Sequence, residues 1–264
     1  MSDRAAVLQN QCILNTRPAH QQAGLKALLE AQGATVIGFP VIEIVDCEVK
    51  PIHLGLAQQL EHYDIALFVS RNAVDGAFRF LQAATLPAGL QLGVIGEATW
   101  QALNERVGEL EKRLIRSDQY NSEGLLSAAA LQQVEGKNIL IFRGQEGRNL
   151  LGEELSERGA TVSYCEVYHR MTPDYEPSHF DRLTAQRFPT LAVFTSSEGI
   201  HNALSLVMGK SQDKLLSIPW LLISERMRET AVNLGHNGSP VIAANASDEA
   251  IQQAIIEWAR QQVD

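Results

Sequence analysis

Residues 33–36 read Gly33-Ala34-Thr35-Val36, and 126 positions further on the same run returns as Gly159-Ala160-Thr161-Val162. The register holds outward from this match. Ile13-Leu14 returns as Ile139-Leu140, Arg17 as Arg143, Leu25 as Leu151 and Leu29 as Leu155. Ala66, Phe68 and Ser70 return as Ala192, Phe194 and Ser196, and Glu123 returns as Glu249. Self-similarity at one long period marks a duplicated unit. The chain reads as two homologous halves, with a first cut near residue 136.

Each half repeats one grammar. A short apolar run, Cys12–Leu14 or Asn138–Phe142, reads as a buried strand. A helix follows, Gln21–Ala31 or Arg148–Arg158, and stops before Gly33 or Gly159, where a C′ glycine is expected. A second strand comes next, Ala34–Gly38 or Ala160–Tyr164. Then strands Ile65–Val69 and Leu92–Ile95 alternate with helices Asn72–Leu81 and Glu97–Arg106. In the second half Leu191–Thr195, Glu198–Val207, Leu221–Ile223 and Glu225–Leu234 follow the same order. Each half closes on a helix, Glu123–Gln133 or Asp248–Arg260. Alternating apolar strands and amphipathic helices imply an α/β fold with parallel sheets covered on both faces. About five strands per half suits a flavodoxin-like, doubly wound sheet, whose ligands sit beyond the carboxyl ends of the strands.

Two stretches run longer than a strand of ~5–6 residues. One extends from Ala34 to Cys47, the other from Ala160 to Arg170. Their apolar alternation favours extended tails that pair with one another as a connector over exposed loops.

Composition narrows the class. Of 264 residues, 45% are apolar and 20% charged, so a core forms without metal or disulfide staples. The net charge of −9 argues against nucleic-acid binding, although a few local arginines still suffice for a small anion. Three cysteines without a CxxC spacing fit a reducing compartment. The opening MSDRAAVLQN lacks the apolar run of a signal peptide, and no window reaches the ~18 apolar residues of a membrane span. The expectation is a cytoplasmic protein with no membrane and no nucleic-acid partner.

Chemistry is expected in the loops after the strands. Arg17, in Thr16-Arg17-Pro18, and Arg143, in Arg143-Gly144-Gln145-Glu146-Gly147-Arg148, hold the same place in both halves. Beside a helix start each can grip a carboxylate, or form a local salt bridge instead. Ser70-Arg71-Asn72 and Thr195-Ser196-Ser197 offer hydroxyls and backbone N–H groups for an anion, and the same groups cap helices. Gly96 lets a ligand approach the backbone, with Thr99 one turn on and Ser224 in the matching loop. Ser122 and Ser247, after Tyr120-Asn121 and Ala246, read first as caps. Tyr168, in Glu166-Val167-Tyr168-His169, is either a half-buried connector aromatic or a proton donor. Neither a Walker loop nor GxGxxG is present, and the seven histidines form neither HxH nor HExxH, so no metal is expected. A GxSxG elbow is also missing, which leaves out an α/β-hydrolase triad.

Taken in order, the opening strand with Thr-Arg-Pro, LLEAQGATVIGFPVIEI, ALFVSRNAV, VIGEAT, NSEGLL, ILIFRGQEGRN and AVFTSSEG resemble the uroporphyrinogen-III synthase family over nearly the whole chain. Their order and spacing carry the resemblance. It implies two flavodoxin-like doubly wound domains joined by a two-stranded β connector. Residues 1–38 plus 173–264 would form a discontinuous domain, 48–164 the second, and 39–47 with 165–172 the connector. It implies a cofactor-free lyase that cyclises the linear tetrapyrrole hydroxymethylbilane with loss of water and inversion of the terminal ring, in a cleft between the lobes; nothing in the sequence suggests an obligate partner, so a monomer is expected. Tyr168 would assist hydroxyl loss. Arg17, Ser70, Arg71, Asn72, Gly96, Thr99, Ser122, Arg143, Gly144, Thr195, Ser196, Ser197 and Ser224 would bind substrate. Ile223-Ser224-Glu225-Arg226-Met227 departs from the family's Ile-Gly-x-x-Thr loop, which Gly96 and Thr99 keep. The alternative is a non-catalytic bilobal module that binds an anionic small molecule. A dinucleotide oxidoreductase is disfavoured because the glycine fingerprint is missing.

Overall fold

The computed structural model describes residues 7–82, 86–108, 112–119, 121–145 and 147–262. Tyr120, Glu146 and most of the opening MSDRAAVLQN lie outside the described residues. The chain divides into two compact units, Met1–Glu43 with Met171–Asp264, and Ile44–Arg170. The division is not the cut near residue 136 that the repeat alone suggests. Among the described residues no helix is long and apolar enough to cross a membrane.

The first unit is built on β1 (Cys12–Asn15), β2 (Thr35–Gly38), β9 (Leu191–Val193), β10 (Trp220–Leu222) and β11 (Val241–Ile242). They form one sheet in the order β11-β10-β9-β1-β2, and each neighbouring pair is parallel. Counted in chain order within the unit, the strands run 2-1-3-4-5. Ile13, Leu191, Val193 and Leu221 point to one face. There they meet Leu25 and Leu29 of α1 (Gln22–Glu30) and Ile251, Ile255 and Trp258 of α11 (Asp248–Gln261). Alternate residues such as Leu14, Ala192 and Leu222 are equally buried, which is why β9 and β10 are apolar throughout and β1 is apolar up to its last residue, Asn15.

The second unit adds β3 (Glu43–Asp46), β4 (Ile65–Phe68), β5 (Gln91–Val94), β6 (Leu114–Ile115), β7 (Asn138–Gly144) and β8 (Thr161–Met171), in the order β3-β8-β7-β4-β5-β6. With β7 counted first, strands β8-β7-β4-β5-β6 again run 2-1-3-4-5, and their pairs are parallel. Ala66, Phe68, Leu92, Val94, Leu140 and Phe142 pack against α3 (Arg71–Ala77) and α4 (Glu97–Val107) on one face. Ile65, Leu67, Ile139 and Ile141 meet Leu125 of α5 (Ser122–Leu126) and Leu151 and Leu155 of α6 (Leu150–Glu157) on the other.

The two long stretches behave differently. The later one is a single 11-residue strand, β8, and β3 lies beside it. The earlier one breaks between β2 and β3. Pro40 has no N–H to continue a ladder. The Phe39 and Val41 amides turn instead to the Asn15 and Thr16 carbonyls. Tyr175 stacks on the Phe39 ring at 5.4 Å and donates its hydroxyl to the Pro40 carbonyl, fixing the break. Helices α2 (Pro51–Gln58), α7 (His179–Thr184) and α9 (Gly209–Ser217) were not anticipated. In α9 only Leu215 is buried, so no apolar stripe announces it. Helix α5 is shorter than the expected Glu123–Gln133 and gives way to a 3-10 turn at Ala129–Leu131.

His236 shows how burial sets a pH limit on the first unit. Its ring stacks on Trp220 at 4.2 Å and donates from Nε2 to the Ile218 carbonyl. Burial disfavours the charged form and pushes its pKa below the ordinary 6.5, although the Ile218 bond works the other way. The unfolded chain therefore binds the proton first as pH falls. The neutral ring's contribution to stability is complete above pH 6.5 and is lost as pH drops through the lower folded value. In urea unfolding, the wild type should lose stability across this window by a step that His236→Gln lacks. Parallel pH profiles for the two proteins would refute the assignment.

Candidate active site

The loop after β7 is organised by a buried cation. Arg143 lies in the last turn of the strand and is only 7% exposed. Its Nε donates to the Gly144 carbonyl at 3.1 Å, Nη1 to Asn149 Oδ1 at 2.9 Å and Nη2 to the Gly147 carbonyl at 2.6 Å. Its guanidinium also lies over the Tyr164 ring, 5.0 Å from the centroid. Among the described residues no carboxylate pairs with it. A guanidinium has five N–H donors, so two remain beyond these three bonds.

Beside it the sheet carries an irregularity. Arg143 faces Glu166 across the β7–β8 ladder, but Gly144 faces Tyr168. Val167 is thus an extra residue, a bulge that breaks the two-residue alternation. Val167 and Tyr168 consequently enter the same core, and Tyr168 is 4% exposed. Gly144 makes room for it, since a Cβ there would stand 2.8 Å from the Tyr168 ring. The phenol oxygen lies 3.1 Å from Ser70 Oγ. Ser70 caps α3 by accepting the Ala73 N–H.

These groups line one cavity of about 390 Å³ within the second unit, together with Asn121, Ser122, Arg148, Tyr164 and Arg170. Three of the lining side chains are arginines in a chain of net charge −9, and Arg143 is the one buried among neutral acceptors. Arg148 is exposed and pairs with Glu123 at 2.9 Å. Glu123's own backbone N–H, followed by Arg148, holds its carboxyl below the usual range despite some desolvation. A site of this kind suits a ligand with several carboxylates. Among the described residues no group of three His, Cys, Asp or Glu could hold a metal.

The matching loops of the first unit are arranged otherwise. Arg17 pairs with Asp248 at the start of α11, so the local salt bridge, rather than an open carboxylate grip, is what forms there. Ser196 caps α8 (Ser197–Leu206) by accepting the Gly199 N–H, as Ser70 caps α3. Ser224 caps α10 (Glu225–Asn233) through the Met227 N–H. Ser197 Oγ lies 3.4 Å from Thr230 Oγ1. Thr195, Ser196, Ser197 and Ser224 follow the carboxyl ends of adjacent β9 and β10.

Some expected contacts fall elsewhere. Thr99 is buried and donates its hydroxyl to the Ile95 carbonyl, leaving nothing for a ligand. Gly96, at φ 85°, starts α4 but lines a different recess, with Trp100 and Arg116. Arg71 and Asn72 form the first turn of α3, with Arg71 paired to Asp75, and neither lines the cavity. The cap of α5 is Asn121, not Ser122, which leaves the Ser122 side chain at the cavity wall. Ser247 does cap its helix, through the Ala250 N–H.

The family model for uroporphyrinogen-III synthase HemD matches residues 23–253. The chain belongs to the uroporphyrinogen-III synthase family. It is similar to the uroporphyrinogen-III synthase of Salmonella typhimurium, 34% identical over 92% of this chain and 99% of that one. It is also similar to that of Escherichia coli, 32% identical over 92% and 99%. In fold it resembles a mutant uroporphyrinogen III synthase from Thermus thermophilus, with a TM-score of 0.62 at 17% identity, covering 96% of this chain and 99% of that chain.

Of the residues the sequence suggests for a site, Arg143, Ser70, Ser122, Gly144 and Tyr168 line this cavity; Asn121, Arg148, Tyr164 and Arg170 line it without having been singled out as site residues. Period-two alternation sets Tyr164 and Tyr168 on one face. The bulge turns Tyr168 to the other, and nothing in the sequence marks that bulge.

The repeat offers a test of the open cation. Asp248, which neutralises Arg17, occupies the position that Ser122 holds in the other half at the shift of 126. Ser122→Asp should supply Arg143 with the counter-ion that Arg17 already has. We expect KM to rise about tenfold or more, ~1.4 kcal/mol of lost binding, with the unfolding midpoint unchanged. An unaltered KM would show that Arg143 does not hold the substrate.

Proposed function

We propose that this chain cyclises hydroxymethylbilane to uroporphyrinogen III, as a lyase that removes water and inverts the terminal pyrrole ring. The observation that carries the reading is a buried guanidinium without a carboxylate, sharing one cavity with the Tyr168–Ser70 hydroxyl pair. Hydroxymethylbilane has eight carboxylates to bind and one hydroxyl to lose. Arg143, with the N–H groups and hydroxyls at the starts of α3 and α5, receives carboxylates. Ser70, Ser122 and Gly144 line the same space. Thr195, Ser196, Ser197 and Ser224, at the strand ends of the first unit, are likewise proposed to bind substrate. Arg71, Asn72 and Gly96 border the set through backbone groups near helix starts. Arg17 and Thr99 are committed to Asp248 and the Ile95 carbonyl and serve the loops instead.

The chemistry follows the hydrogen bonds. Ser70 Oγ accepts from Ala73 N and shares a 3.1 Å hydrogen bond with the Tyr168 hydroxyl, with Ser70 taken as the donor. The phenol proton is then directed at the departing hydroxyl. The C–O bond breaks, water leaves with the phenol proton, the phenolate recovers a proton from the pyrrole N–H, and an electrophilic azafulvene remains. Attack by the substituted carbon of the last ring gives a spiro intermediate, which fragments and recombines with that ring inverted. Uncatalysed closure does not invert the ring, so the enzyme's task is to hold one geometry, a proximity and orientation effect. The strand order 2-1-3-4-5 in each sheet supports the flavodoxin-like reading of both units. The placing of β3 beside β8 supports a two-stranded connector.

Given hydroxymethylbilane, the purified protein should yield the type III isomer; type I alone, at the spontaneous rate, would sink the proposal. Tyr168→Phe should slow turnover at least about tenfold, ~1.4 kcal/mol of barrier. A single-turnover rate equal to the wild type would remove the phenol from the chemistry while leaving the reaction assigned.

A further inference from the structure

Tyr164 is large and aromatic, yet 41% of it is exposed. Two contacts hold it in that position. The Arg143 guanidinium covers its ring. Its hydroxyl fills a notch in α6, where a Cβ at Gly152 would collide with it. Glycine inside a helix is destabilising relative to alanine, so the notch that admits the Tyr164 hydroxyl carries a structural cost. Tyr164 also lies directly beside Ile141 on β7 and forms part of the cavity wall.

The three acceptors of Arg143 run from Gly144, the last residue of β7, to Asn149, just before α6. They tie the guanidinium to its own strand end and loop but not to β8. Tyr164 stands on β8 and supplies that second tie. A guanidinium stacked on an aromatic face has its plane fixed, which sets the direction of its remaining N–H groups. We infer that Tyr164 is a positioning residue for substrate carboxylate recognition, acting through the Arg143 guanidinium. This rests on reading the cavity as the tetrapyrrole site.

Steady-state kinetics on the full chain tests it, with binding of uroporphyrin III, a stable octacarboxylate, followed by fluorescence. Tyr164→Leu should raise KM and the porphyrin Kd about five- to tenfold, as expected when a part-buried cation–π contact is lost, while kcat stays within about twofold. Tyr164→Phe, which keeps the ring, should restore both constants. In an Arg143→Gln background Tyr164→Leu should add nothing, because the two residues act as one unit. Should Tyr164→Leu not fold, Tyr164→Met gives the same comparison. An unchanged Kd in Tyr164→Leu, or an equal loss with and without Arg143, would overturn the inference. A wild type that forms no type III isomer but binds porphyrin in a Tyr164-dependent way would fault the proposed reaction and uphold the role of Tyr164.

Discussion

The burial of one charge governs the rim of the second unit. A guanidinium removed from water is costly unless its donors are satisfied. Arg143 meets that demand with neutral acceptors, the Gly144 and Gly147 carbonyls and the Asn149 carboxamide, and with the Tyr164 ring. Neutral partners offset desolvation without cancelling the charge. The loop between β7 and α6 is therefore shaped by the same residue that gives the cavity its sign. Had a carboxylate done this work, the loop would be as well ordered and the potential would be lost.

The second constraint is steric. A regular β8 would keep Tyr168 on the α6 side of the sheet with Tyr164. The bulge at Val167 carries it to the α3 side, where its phenol reaches Ser70 at 3.1 Å. That placement requires Gly144, because any side chain there strikes the ring. Ser70 is itself held by capping α3. Three backbone events, a bulge, a glycine and a helix start, thus fix one hydroxyl pair. None of them depends on a long flexible side chain, which suits catalysis by geometry.

The parts of this arrangement that repeat were legible in the sequence. The shift of 126 located both sheets, the main helices and the loops at the strand ends, because buried parallel strands are apolar along their whole length. Ser70, Arg143 and Tyr168 stood out by position and type. Three kinds of feature did not. Strands of two residues, β6 and β11, are too short to show a period. Helix α9 buries one leucine. The roles of Arg17 and Thr99 depended on which neighbour reached them first, Asp248 or the Ile95 carbonyl, and such contacts are set by tertiary distance.

The duplication explains the shape of the loops and not their charge. At the shift of 126, Arg17 corresponds to Arg143, Asp248 to Ser122, Gln22 to Arg148 and Gly38 to Tyr164. In the first unit Asp248 neutralises the arginine, and the Gln22 carboxamide folds back to donate to the Asn15 and Arg17 carbonyls. In the second unit serine replaces the acid, a second arginine replaces the amide, and an aromatic ring replaces the glycine hydrogen. Two of the exchanges, serine for the acid and the ring for the glycine hydrogen, leave Arg143 as a cation held by neutral groups, while the added Arg148 is paired with Glu123. A doubled fold has thereby kept two equivalent strand-end rims while its site potential is concentrated in one. Identical loops in both halves could not tell one end of a polycarboxylate from the other, and a reaction that inverts only the terminal ring needs the two ends of its substrate told apart.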